Sequence, residues 1–184
     1  CYSENILDVI GMYSKENDNG NFMIWENTGL EYENSYFKPL RLYLSKENGM
    51  TLDSNVRSNS DIWLNIEGKT ENPDPALCLG YAIFAEDDVL LYLSSTIDVG
   101  ESKFFKIEKG INKYRAKIPK GFFNEGKYKI KLFATRIGKE DILSYNGPTP
   151  TIYMSIKSAL TESQRWVAKR PGLLSPILEW EKVS

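Results

Sequence analysis

The chain contains no histidine. That absence removes Ser/His/Asp and Cys/His nucleophilic schemes and most catalytic zinc sites, because imidazole serves as the base in the former and a ligand in the latter. Cysteine is scarce, with two residues in 184. Cys1 is terminal, and Cys78 lies in the apolar run Leu77-Cys78-Leu79, where a free thiol packs as a small hydrophobe; with no histidine to activate a thiolate, Cys78 is expected in the core. A disulfide framework is not expected, and a reducing compartment fits best. No run approaches the ~18 apolar residues of a membrane span. The chain also lacks a Gly-rich phosphate loop ending in Lys-Ser or Lys-Thr, and a Gly-x-Gly-x-x-Gly between strand and helix, so it carries no recognisable nucleotide site.

Charge of either sign is not in excess. Twenty-three basic and 25 acidic residues leave a net charge of −2, and Lys and Arg are scattered singly rather than gathered into a stripe, which argues against a nucleic-acid partner. The acidic residues Glu86, Asp87, Asp88, Glu140 and Asp141 fall in turn contexts, where carboxylates are normally solvated, so neither a glycosidase carboxylate pair nor a calcium loop is expected. No catalytic residue, metal or cofactor is assigned. The chain opens at Cys1 without an initiator Met or a signal-like segment and reads as a fragment of a longer polypeptide.

What is present is β-patterning. Residues 1–20 read as a linker or N-terminal appendage, and residues 21–184 as one domain, long enough to bury roughly 70% of its unfolded surface. From Phe22 onward, short alternating runs are separated by Gly, Pro, Asn and Asp, with no long 3.6-period segment, so helices should be scarce. Leu40, Leu42 and Leu44 share one face of a strand, opposite Arg41 and Tyr43; Ile62, Leu64 and Ile66 share another, opposite Trp63, Asn65 and Glu67. Residues 77–85 are apolar on both faces, as in a covered central strand, and Glu86-Asp87-Asp88 turns them into a second run, residues 89–93. Tyr114, Ala116 and Ile118 alternate with Arg115 and Lys117. Tyr128, Ile130, Leu132 and Ala134 alternate with Lys129, Lys131 and Phe133 after a turn at 124–126, and Ile152, Met154 and Ile156 add one more strand. An apolar, Pro-containing tail follows over 170–180. Seven or more antiparallel strands with one apolar face each need a second layer, and without helices that layer is another sheet: an all-β, antiparallel two-sheet β-sandwich.

Aromatics make up 12% of the chain, including Trp25, Trp63, Trp166 and Trp180. Trp63 and Tyr43 fall opposite the aliphatic faces of their strands, beside Asn65 and Arg41, and so can form aromatic platforms flanked by hydrogen-bonding groups. Such a surface suits sugars, whose ring hydrogens stack on aromatic faces while their hydroxyls need donors and acceptors. The same rings could instead pack against loops or the tail. On alternation alone the candidate ligand-binding residues are Arg41, Tyr43, Trp63 and Asn65, with Lys131 and Tyr153 on similarly exposed strand faces.

Several segments in order carry a family resemblance: Ile24-Trp25-Glu26-Asn27; Lys38-Pro39-Leu40-Arg41-Leu42-Tyr43-Leu44 with Glu47-Asn48-Gly49; and Asp61-Ile62-Trp63-Leu64-Asn65-Ile66. After these come Gly80-Tyr81-Ala82-Ile83-Phe84, the Glu86-Asp87-Asp88 turn and Leu91-Tyr92-Leu93-Ser94-Ser95-Thr96. Ile118-Pro119 with Gly126-Lys127-Tyr128-Lys129-Ile130, and Arg170-Pro171-Gly172-Leu173 through Trp180, complete the set. Over roughly residues 22–182 this resembles the C-terminal glycan-recognition domain of Wzt-type subunits, the ATP-binding components of O-antigen polysaccharide ABC exporters. Two places depart from the pattern: Asp88 stands where the family usually has Gly, and Ile97-Asp98-Val99-Gly100 has no counterpart.

The resemblance implies a non-catalytic carbohydrate-binding module that captures a lipid-linked polysaccharide in the cytoplasm, at the inner face of the cytoplasmic membrane. It further implies an immunoglobulin-like or jelly-roll form of the sandwich and a homodimer, with residues 173–180 a candidate for pairing across subunits, and contact with the ABC transporter membrane subunit through a parent chain carrying the ATPase. Two rival expectations are a protein-interaction sandwich and an accessory domain of a glycan-modifying enzyme such as a methyltransferase or glycosyltransferase.

Overall fold

The computed structural model describes residues 23–29, 31–52, 56–157, 171–176, 178 and 180–182. The expected boundary at residue 20, Cys1 and Trp166 lie outside the described residues. Ten strands follow in order: β1 (Ile24–Glu26), β2 (Lys38–Ser45), β3 (Val56–Arg57), β4 (Ile62–Thr70), β5 (Leu77–Ala85), β6 (Leu90–Ser95), β7 (Gly110–Ile118), β8 (Gly126–Arg136), β9 (Glu140–Leu143) and β10 (Thr151–Lys157). A single 3₁₀ turn, Glu101–Lys103, is the helical element among the described residues, and no helix there is long and apolar enough to cross a membrane.

The strands form two sheets. Sheet A runs β1-β2-β4-β7, and sheet B runs β3-β10-β8-β5-β6, with β9 extending the β10 side of β8. All pairings are antiparallel except β3 with β10. The two-sheet sandwich expected from alternation is thus the architecture, and its core is the set of positions the alternation placed inward. Leu42, Leu44, Ile62, Leu64, Ile66 and Ile118 from sheet A meet Leu79, Ile83, Ile130, Leu132, Ile152 and Met154 from sheet B, all buried. β5 is central, between β8 and β6, and eight of its nine residues are buried, as a run apolar on both faces requires. Cys78, on this strand, is a buried free thiol.

Three local features differ from the simple alternation. A bulge between Pro39 and Arg41 buries Pro39 and leaves Leu40 half-exposed, because the extra residue breaks the period-two count. The run expected at 89–93 becomes β6, the end strand of sheet B among the described residues, and none of its residues is fully buried. At the hairpin between β5 and β6, Asp88 takes φ = 63°, the left-handed conformation that favours glycine and that Asp tolerates better than most residues. The tail docks along residues 172–175: the Asn124 amide donates to the Leu173 carbonyl (3.2 Å), and the Ser175 amide donates to the Phe122 carbonyl (2.8 Å). Beyond it, Leu178 is 67% and Trp180 93% exposed.

Candidate functional site

The outward face of sheet A is built by register. Arg41 stands opposite Glu67 and Glu67 opposite Lys113; Tyr43 stands opposite Asn65 and Asn65 opposite Arg115; Ser45 stands opposite Trp63 and Trp63 opposite Lys117. Because β2, β4 and β7 are neighbours and their inward residues are aliphatic, these polar and aromatic side chains are left on one surface. Arg41, Tyr43, Trp63 and Asn65 are therefore brought together.

Their arrangement is a layer of plates. The Arg41 guanidinium lies 4.6 Å from the Tyr43 ring centroid, and the Arg115 guanidinium lies 4.3 Å from that of Trp63, with the Lys117 ammonium at 5.8 Å. The rings are thus not bare platforms: each carries a cation over one face. Asn65 is held in place by donating to Ser45 Oγ (2.8 Å) and the Trp63 carbonyl (3.1 Å). Glu67, 8% exposed, accepts from the Tyr43 hydroxyl (3.1 Å) and pairs with Lys113 (3.3 Å) and, more distantly, Arg41 (3.9 Å). Burial, reinforced by the Glu67 hydrogen bond and charge, raises the Tyr43 hydroxyl above its ordinary pKa against the opposing pull of Arg41, so Tyr43 remains a neutral donor. Trp63 Nε1 is shielded from solvent with no acceptor.

Arg41 pairs with Glu26 at 2.9 Å and Lys117 with Asp61 at 3.0 Å. Arg115 has no carboxylate partner among the described residues; it donates to the Glu47 carbonyl (3.2 Å) and otherwise rests on Trp63. Arg115 was not among the sequence candidates. Its signal was there, in its alternation with Tyr114 and Ala116, but the pairing of β4 with β7 that sets it beside Trp63 joins strands more than forty residues apart.

Lys131 and Tyr153 lie on the opposite surface, the outward face of sheet B, on the adjacent strands β8 and β10. Lys131 donates to the Gly147 carbonyl (3.0 Å) and sits 5.9 Å from the Phe84 ring centroid; burial, then the charge of Lys129, lowers its pKa. Tyr153 is 40% exposed. A single ligand face cannot hold all six candidates, because the two sheets lie between the groups. The acidic turn is neutralised on this side, with Lys127 near Glu86 (3.7 Å) and Lys129 against Asp88. Among the described residues no group of three or more Cys, Asp or Glu side chains is disposed to hold a metal ion.

No family model matches the chain, and no curated protein matches it in sequence. Among solved structures it is similar to the crystal structure of the C-terminal domain of Wzt, with a TM-score of 0.60 over 89% of this chain and 92% of that one, at 12% identity. At that identity the likeness concerns architecture, and it spans almost the whole of both chains. The protein therefore has the fold of the Wzt C-terminal domain.

Proposed function

We propose that this chain is a non-catalytic carbohydrate-binding module that recognises an O-antigen-type polysaccharide for a Wzt-type ABC exporter, using the outward face of sheet A. The observation that carries the reading is the juxtaposition of Arg41, Tyr43, Trp63, Asn65 and Arg115 on one exposed surface of a sandwich with this fold. Flat guanidinium-capped rings give apolar and cationic area, the Arg115 guanidinium gives donors, and Asn65 Oδ1 and Glu67 give acceptors, the Asn65 amide hydrogens being spent within the sheet. That mixture matches a sugar, whose faces are apolar and whose edges are hydroxyls. The unspent Trp63 Nε1 supplies one more donor once a ligand moves the ring.

Within this reading the module acts at the cytoplasmic face of the membrane, where a lipid-linked glycan is presented to the exporter. The reading includes a homodimer in which the exposed tail carrying Leu178 and Trp180 packs on the partner subunit. Calorimetric titration with the source strain's long-chain polysaccharide tests the function. Trp63→Ala is expected to weaken binding by about 1–3 kcal/mol, the loss typical of a well-packed aromatic anchor. Unchanged affinity in a folded Trp63→Ala variant would contradict the assigned face. Failure of the polysaccharide to bind at all would favour the protein-interaction reading.

A further inference from the structure

The outward face of sheet B gathers cations that are scattered along the sequence. Lys127, Lys129 and Lys131 occupy alternate positions of β8, Lys157 ends β10 diagonally from Lys127, and Arg57 of β3 stands in register beside Lys157. The outward positions of β3, β10, β8 and β5 hold no Asp or Glu. Carboxylates reach this face from the turn after β5, where Glu86 meets Lys127 and Asp88 meets Lys129. Arg57, Lys131 and Lys157 pair with no carboxylate among the described residues. Even with the exposed Asp87 of the same turn counted, the face is positive, whereas the whole chain carries a net charge of −2.

This arrangement is unfavourable in the free protein. Like charges side by side on paired strands repel, and Arg57 beside Lys157 is such a pair. Lys131 is crowded as well, its pKa lowered by burial and then by the charge of Lys129. An anionic partner relieves the repulsion at both places. The shape of the partner follows from the spread of the charges, which extend about 14 Å along β8 from Lys127 to Lys131 and about 10 Å across from β8 over β10 to β3. Four of the five cations are lysines, compact hydrated point charges without the planar fork that suits one bidentate anion. A single phosphate or carboxylate engages one such group at a time, and an acidic peptide follows one line. A plane of anionic headgroups meets all of them together.

We infer that the outward face of sheet B is a peripheral docking surface for an anionic lipid bilayer, with Arg57, Lys131 and Lys157 as its free cations. Tyr153, 40% exposed and in register with Lys129, sits among them with an apolar ring and a polar tip, the combination suited to the headgroup level. The contact is electrostatic and reversible, each basic residue at an anionic surface strengthening it roughly fivefold. The inference goes beyond the glycan reading and does not depend on it. Because the two sheets lie back to back, a module resting on sheet B turns sheet A away from the bilayer and leaves Trp63 and Arg115 open to a glycan chain.

The test floats the 184-residue protein, without glycan, on vesicles of phosphatidylcholine alone and on vesicles containing phosphatidylglycerol as well, at low and at high salt, beside Arg57→Gln/Lys157→Gln, Lys131→Gln and Arg115→Gln variants. Binding is expected to the phosphatidylglycerol vesicles only, to vanish at high salt, and to fall roughly twentyfold in the double variant and roughly fivefold in Lys131→Gln. The unfolding midpoint of the double variant should not drop, because the substitutions remove a repulsion. No binding to the anionic vesicles, or equal binding to both kinds, would overturn the inference. Binding lost in Arg115→Gln but kept in the double variant would overturn it by placing the contact on sheet A. Binding to polyglutamate in place of the anionic vesicles would overturn it in favour of an acidic polypeptide partner.

Discussion

Asp74 is held from several directions. Its carboxylate takes the Lys139 ammonium (2.8 Å), the Ala76 amide (2.9 Å) and the Arg136 guanidinium (2.7 and 2.8 Å), and Arg136 lies 3.6 Å from the Tyr36 ring centroid. These donors, Lys139 first, hold its pKa far below the ordinary 3.8. A depressed folded-state pKa gives stability that is fully present above the unfolded value and is lost as pH falls below it. The unfolding midpoint should therefore be lower for Asp74→Asn than for the unsubstituted protein at pH 7, and the gap should narrow between about pH 4 and pH 2. A gap independent of pH over that range would show that the carboxylate charge is not what stabilises the site. This cluster was not legible in the sequence, since it joins a loop before β5 to the far end of β8. By contrast, Arg41, Tyr43, Trp63 and Asn65 could be placed on one face because each alternates with a core aliphatic on its own strand.

At the scale of elements, what the sequence conveyed was which residues of each strand face inward; what it did not convey was which strands are neighbours. Lys131 and Tyr153 alternate with core aliphatics, Lys131 half-buried and Tyr153 exposed, yet sit on the other sheet from Trp63, because sheet membership depends on crossovers that carry no local pattern. The bulge at Leu40 is likewise set by pairing with Gly68 and Glu67 rather than by its own residues. β5 shows the reverse case, where one residue dictates packing. A Cβ at Gly80 would lie 2.4 Å from both the Ser94 carbonyl and Phe133 Cζ, so glycine is what lets β6 and the Phe133 ring close over the strand. Gly80→Ala is expected to destabilise by about 1–3 kcal/mol in denaturant unfolding, as for other overpacked sites. A change within a few tenths would mean that β6, none of whose residues is fully buried, yields without cost.

For the whole molecule, the sandwich follows from one requirement: every strand with an aliphatic face must bury it, and the two sheets do so against each other. That leaves two outward faces and a tail, among the described residues, as surfaces available for function. The tail docks on residues 122–124 and then departs with Leu178 and Trp180 exposed. If it completes a dimer, light scattering should give twice the chain mass for the full protein and a single chain mass after removal of residues 176–184. A monomer in both cases would contradict that role. The sequence contained the apolar tail but not its docking, which depends on backbone groups of Phe122 and Asn124 that composition does not reveal.

The most direct test of the central claim, that the outward face of sheet A binds glycan, is amide chemical-shift mapping of the protein with and without the long-chain polysaccharide. The account predicts perturbations concentrated on β2, β4 and β7 around Arg41, Tyr43, Trp63, Asn65 and Arg115. Perturbations confined to β8 and β10 around Lys131 and Tyr153, or none at saturating polysaccharide, would contradict it.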